Sequence, residues 1–233
     1  MSADSDAFDV VSQIPNLTDA ERQYLLTVAR GEGFYGLGWA NPNAQTIALS
    51  ERFGIDPRAG AGSNNWGAVQ GTGSAGSFPH VDHGWRNPDG TPWNRIGPKV
   101  WLPYVAQYKK HATPLEGALS TAKVLLKPNV KAAANSGDLS KAVEAQKANG
   151  YFELSAVDYF KAAKRNYDAL TTNLKWPKLL EPGELSVPLV SAGPQSSGLP
   201  DSSSGEPSSL NGNEPEGGFV RGQKYSVPGI QDK

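Results

Sequence analysis

From about residue 181 to the C-terminus, roughly half of all positions are Ser, Gly or Pro. Such a stretch cannot bury enough apolar surface to offset the entropy lost on ordering it. Any core must therefore come from about the first 180 of the 233 residues, a length that suits one domain. The chain's hydrophobic content of 38% is low for a globular protein of this size, and the tail accounts for the shortfall.

The sequence contains no cysteine, which excludes disulfides, thiolate metal sites and Cys nucleophiles. Met1 to Gln13 is acidic and lacks the basic and apolar regions of a signal peptide. No apolar run approaches membrane-spanning length. The formal charge of −1 hides an asymmetry: Ala20 to Leu180 carries 19 Lys/Arg against 12 Asp/Glu, while the arm before it and the tail are acidic. A basic body suits a polyanionic partner, for which peptidoglycan and nucleic acid both qualify.

Residues 1–16 read as a flexible N-terminal arm, 17–180 as the folded domain and 181–233 as a disordered tail. Within the tail, 218–230 regains apolar residues (Phe219, Val220, Tyr225, Val227, Ile230) and is a candidate docking peptide. Thr18-Asp19-Ala20-Glu21 is a capping box opening a helix with Tyr24, Leu25, Val28 and Ala29 on one face. Gly31 and Gly33 bracket its end. A second helix is expected from about Asn43 to Gly54, and Gln70–Trp93 as a small β-hairpin or irregular lobe with a turn at Asn87-Pro88-Asp89-Gly90. Helices are expected to return after Pro98, first with Val100, Trp101, Tyr104, Val105 and Tyr108 on one face. The next opens at the capping box Thr113-Pro114-Leu115-Glu116 and ends before Pro128. Two more are expected, over about 139–149 and after Ser155. The body is thus mainly α with one small β element.

Glu32 follows Val28 by four residues and Ala29 by three, so the apolar stripe of its helix points at the carboxyl group. Phe34, Tyr35 and Trp39 follow it. An apolar site and the negative end of a helix both favour the neutral acid, the form that can protonate a leaving oxygen. The stretch Ser63-Asn64-Asn65-Trp66-Gly67-Ala68-Val69-Gln70-Gly71 lies about thirty residues downstream. Its small residues let a backbone approach a bound sugar, and Gln70 offers polar groups to it.

On these residues the chain resembles peptidoglycan-cleaving enzymes of the lysozyme superfamily, including lysozyme-like enzymes encoded by phages. Gly67-Ala68-Val69-Gln70 resembles the Gly-Ala-x-Gly-Leu-Met-Gln-like stretch that follows the Glu of lytic transglycosylases. Asn64-Asn65-Trp66-Gly67 resembles the Asn-Asn-Leu-Phe-Gly-Ile-like stretch that follows the Glu of autolysin glucosaminidases. Thr113-Pro114-Leu115-Glu116-Gly117 and Ala148-Asn149-Gly150-Tyr151-Phe152, the latter followed by Asp158-Tyr159, are similar to later segments of glucosaminidase-like proteins. The resemblance covers about residues 18–175.

The resemblance implies a lysozyme-like α+β domain with a cleft between the Glu32 helix and a lobe of residues 64–96. It implies a glycosidase or lytic transglycosylase acting at the bacterial cell envelope, with Glu32 as acid and no cofactor or metal. Peptidoglycan, not nucleic acid, is then the expected partner, with delivery at phage lysis or from a virion whose structural proteins the tail would hold. Asp82 is the first candidate for a second carboxylate, ahead of Asp89, which sits in a turn. The substrate-binding candidates are Asn64, Asn65, Trp66, Gln70, Tyr151, Trp39 and Trp85. Two alternatives stand. His80-x-Asp82-His83 could ligate a metal in a metal-dependent peptidoglycan endopeptidase, or the domain could be a non-catalytic virion component. No Gly-x-Ser-x-Gly elbow is present, and Gly71–Gly76 lacks the Lys-Ser/Thr pair of a phosphate loop.

Overall fold

The computed structural model describes residues 2–93, 96–152, 155–181, 183, 219–220 and 223–224. It is an α+β arrangement. Helices α1 (Ala3–Ser12), α2 (Asp19–Gly33) and α3 (Ala44–Arg52) come first, with a 3₁₀ segment, Phe34–Ala40, between the last two. Strands β1 (Ser77–Arg86) and β2 (Val100–Lys109) pair antiparallel, and α4 (Pro114–Leu125), α5 (Pro128–Asn135), α6 (Leu139–Ala148) and α7 (Ala156–Asn173) follow.

α2 is the axis of the helical core. Its expected apolar face is buried, and so are Leu26 and Thr27 on the other side. A helix buried on nearly every side must be surrounded, and α1, α4, α5 and α7 pack around it. Its start is held by the expected capping box. The Glu21 amide donates to the Thr18 hydroxyl at 3.2 Å, and the Thr18 amide donates to the Glu21 carboxylate at 3.3 Å. The second expected box closes in the same way on Thr113 and Glu116 at the start of α4, with Pro114 in the first turn.

Two expectations are corrected. The supposed flexible arm contains α1. Ser2 caps it, Asp4 and Asp6 sit in its first turn where the helix dipole favours acidic groups, and Ala7, Val11 and Ile14 enter the main core. The helix expected after Pro98 is strand β2. Pro103 would remove a bond inside a helix, whereas each strand of a two-stranded sheet has an open edge that tolerates proline. The β-branched and aromatic residues of this stretch suit a strand equally well, and pairing with β1 decides the matter. α4 ends before Pro128 as expected, and Pro128 also stands in the first turn of α5, a helix outside that reading, where a missing N–H costs nothing.

The hairpin carries a second, smaller core of Trp39, Ala68, Phe78, Ala106 and Tyr108. The two cores meet where chain segments nearly touch. A side chain at Gly117 of α4 would lie 1.8 Å from the Asn64 carbonyl oxygen, so only glycine admits this approach. At the end of the domain, Leu180 is buried and Glu181 exchanges backbone hydrogen bonds with Gly137 and Leu139. The candidate docking peptide lies outside the described residues except for Phe219–Val220 (β3) and Gln223–Lys224 (β4), which pair antiparallel.

Deleting residues 2–12 removes Ala7 and Val11 from the core and takes the buried Asp4 carboxylate away from Arg30. The expected cost is about 3 kcal/mol or more in urea denaturation. An unchanged midpoint would mean that α1 adds nothing to the fold.

Candidate active site

Glu32 occupies the last turn of α2 and is only 2% exposed. Its Oε1 accepts a 2.9 Å hydrogen bond from the Tyr159 hydroxyl of α7. Tyr24 and Tyr159 both have pKa values pushed well above the ordinary tyrosine range, by burial first and then by the nearby Glu32 charge. Both hydroxyls therefore keep their protons and remain donors.

The chain leaves Glu32 through an unusual turn. Phe34, Tyr35 and Gly36 all have positive φ (46°, 59° and 86°). The facing loop repeats the feature, with Asn64 at 52° and Ala68 at 48°. Such conformations cost non-glycine residues about 1–3 kcal/mol each and persist only where surrounding contacts enforce them. Here the two loops enforce each other. A side chain at Gly36 would lie 3.2 Å from both Asn64 Cα and the Asn65 amide nitrogen. The Trp39 indole donates to the Asn65 carbonyl at 2.9 Å.

Asn65 is the hub of the 63–71 loop. Its Nδ2 donates to the Val69 and Lys109 carbonyls at 2.9 and 3.0 Å, and its Oδ1 accepts from the Val69 amide at 2.8 Å. One buried amide thus curls the loop and ties it to β2. Asn64 donates to the His111 carbonyl at 3.0 Å, and the Tyr151 hydroxyl donates to the Gly67 carbonyl at 2.9 Å. Trp66 is buried against Tyr35, with ring centroids 5.4 Å apart.

The hairpin contributes a second carboxyl group. Asp82 is 1% exposed, and its Oδ2 accepts from Tyr108 at 2.7 Å, Gln70 at 2.9 Å and Tyr104 at 3.4 Å. Its Oδ1 accepts from the His83 amide at 2.7 Å. Burial pushes the Asp82 pKa up to about 6 against the opposing pull of these donors. Tyr104 and Gln70 are half-buried, and Arg86 lies 3.4 Å over the Tyr104 ring. Trp39 connects the two halves. Gly33, next to Glu32, abuts its indole, and its ring lies 5.4 Å from that of Tyr108, which holds Asp82.

The sequence-derived candidates therefore divide. Glu32, Asn64, Asn65, Trp66, Tyr151 and Trp39 come together around the two loops, and Gln70 joins Asp82. Trp39, Trp66 and Tyr151 are buried, so each supports a loop from behind and presents no open ring face. Trp85 is 38% exposed but pairs across the hairpin with Trp101, on the strand face opposite Asp82 and Tyr104. Asp89 closes the exposed turn by accepting from Thr91. Tyr159, Gln146, Tyr104 and Tyr108 were not singled out from sequence as site residues. Each is an ordinary apolar-face residue by spacing, and only the packing reveals what its polar end meets.

His80 and His83 are three residues apart on a strand, so they point to opposite faces and cannot share one ion. Burial lowers the His80 pKa to about 4, and its ring sits edge-on to Trp39 and Tyr108. Among the described residues, no group of three or more His, Cys, Asp or Glu gathers as a metal site would require. No helix there is long and apolar enough to cross a membrane.

No family model matches the chain, and no curated protein matches it. Among solved structures, the catalytic domain of the autolysin Auto from Listeria monocytogenes is similar at a TM-score of 0.31 and 11% identity, over 77% of this chain and 98% of that one. A likeness of that size says nothing about individual site residues.

Asp82 leaves a pH signature. Between about pH 4 and 6 it is protonated in the folded protein and ionised in the unfolded chain, so folding takes up a proton there. Stability should fall as pH rises through that window, by about 3 kcal/mol for the full difference. Urea denaturation at pH 4 and pH 7 should show Asp82→Asn gaining on the wild type by that order. A gap that does not change with pH would count against the buried acid.

Proposed function

We propose that this protein degrades peptidoglycan by cleaving its glycan strand, as a glycosidase or lytic transglycosylase, with Glu32 as general acid. The observation that carries the reading is Glu32 itself. It is a carboxyl group buried at the C-terminal end of the central helix, held by a tyrosine hydroxyl and flanked by two strained loops. Backbone strain of this kind gathers at functional sites. The resemblance of Asn64–Gln70 to the loops that follow the Glu of glycan-cleaving enzymes supports the same assignment.

The chemistry asks for a proton donor to the bridging oxygen. Burial and the negative end of the α2 dipole both favour a carboxyl that still holds its proton when substrate arrives. Asp82, with its pKa near 6, is mostly ionised at neutral pH. It would then serve as the base or electrostatic partner, reaching the substrate side through Gln70 and Tyr104. The acceptor is water in a hydrolase and the sugar's own 6-hydroxyl in a transglycosylase. Asn64 and Gln70 would contact the glycan, with Asn65, Trp39, Trp66 and Tyr151 holding the loop in place. The basic body favours adsorption to an anionic wall.

Glu32→Gln should keep the fold while lowering the rate of peptidoglycan solubilisation by about 10²–10⁴-fold. Mass spectrometry of the wild-type digest should show reducing or anhydro sugar ends. Cut peptides on intact glycan, or a Glu32→Gln variant that clears walls at the wild-type rate, would overturn the proposal.

A further inference from the structure

We infer that Tyr24, Gln146 and Tyr159 form a one-directional hydrogen-bond relay that positions the Glu32 carboxyl group and commits a proton donor to one of its oxygens. The inference rests on the reading of Glu32 as the acid. The relay leaves α2 at Tyr24 and returns to the same helix two turns later at Glu32. The Tyr24 hydroxyl donates to Gln146 Oε1 on α6. Gln146 Nε2 donates to the Tyr159 hydroxyl oxygen on α7 at 3.0 Å, and Tyr159 donates to Glu32 Oε1 at 2.9 Å.

Each link settles the next. Because Gln146 Oε1 accepts from Tyr24, its amide N–H groups face Tyr159. Because the Tyr159 oxygen accepts from that amide, its single proton is committed to Glu32. With Oε1 engaged as an acceptor, the transferable proton of the acid belongs on Oε2. After transfer, the carboxylate keeps a charge-assisted hydrogen bond.

None of the four side chains is more than 2% exposed. The Tyr159 ring is stacked on Phe152 at 3.8 Å, nearly parallel, which holds the hydroxyl on its line to Glu32. A buried polar chain is costly unless every member is satisfied. Phe at 24 and 159 and an apolar residue at 146 would fill the same space without polar atoms. The chain that stands there instead ends on the carboxyl group read as the acid. Among the described residues, the titratable groups near Glu32 include Tyr24 on its own helix, Tyr159 on α7 and, beyond Tyr159, Tyr151. These are positioning residues, since they act through Glu32 and not on substrate.

The test is the titration of Glu32 by carbon NMR of ¹³C-labelled glutamate in the whole protein, alongside the pH dependence of peptidoglycan cleavage. Removing the donor in Tyr159→Phe should raise the Glu32 midpoint by about one pH unit, the size of one lost hydrogen bond to a charged acceptor. The alkaline limb of kcat should move up with it, and kcat should fall roughly tenfold with KM unchanged. Gln146→Met and Tyr24→Phe should shift both readouts in the same direction by less. A merely structural role would lower activity equally at all pH values and leave both midpoints in place, which would overturn the relay. If Tyr159→Phe does not fold, Tyr24→Phe carries the test, and an unmoved midpoint there overturns it as well. The two readings fail separately. A Glu32→Gln variant with wild-type activity beside a shifted titration removes the acid assignment and keeps the relay. An inactive Glu32→Gln variant beside an unshifted titration does the reverse.

Discussion

A helix surrounded on every side by other elements must find a partner inside the protein for each polar group it carries, and α2 carries several. Glu21 meets Lys131 and Asn135, Gln23 meets Tyr167 and the backbone of Pro177 and Leu179, and Thr27 bonds back to the Gln23 carbonyl. Tyr24 and Glu32 are joined through α6 and α7. These partners fix the places of α5, α6, α7 and the segment after α7. The central helix therefore organises its neighbours by hydrogen bonding as much as by its apolar surface, and the arrangement brings a carboxyl group to the junction with the hairpin lobe.

At that junction the backbone is strained on both sides. The turn after Glu32 and the loop from Asn64 to Ala68 hold non-glycine residues in left-handed conformations, and each leaves the other no room to relax. Asn65, Trp39 and Tyr151 lock the loop from behind, and Asp4 of α1 accepts from the Tyr35 hydroxyl at 2.7 Å. Even the N-terminal helix is thus tied to the turn that leaves Glu32. The strain is offset by the helical core, as expected for a scaffold that holds a rigid site.

Much of this was legible in the sequence. Both capping boxes, the apolar stripe of α2 and the positions of α3, α4, α6 and α7 follow from local rules, because caps and helical periodicity depend on residues within a few positions of one another. Where local rules allowed two outcomes, distant partners chose. Val100–Lys109 has apolar residues at both helical and strand spacing, and β1 supplied the ladder. Met1–Asn16 is polar enough to read as an arm, yet α2 and α4 offered Ala7 and Val11 a surface. Trp39 and Trp66, candidates for substrate binding by sequence, lie in loop-like segments, and the two loops closed over them.

The sequence by itself determined that α2, α3, α4, α6 and α7 are helices, and that Glu32 terminates the stripe of an apolar helix face. Tertiary structure alone decided what the carboxyl groups meet: Tyr159 for Glu32, and Tyr108 with Gln70 for Asp82. It also decided which aromatic rings are walls and which face solvent. The physical reason is range. Periodicity and capping are set within one or two turns of chain, whereas the protonation and orientation of a buried carboxyl group depend on donors more than a hundred residues away in the case of Glu32 and Tyr159, and only packing brings these together.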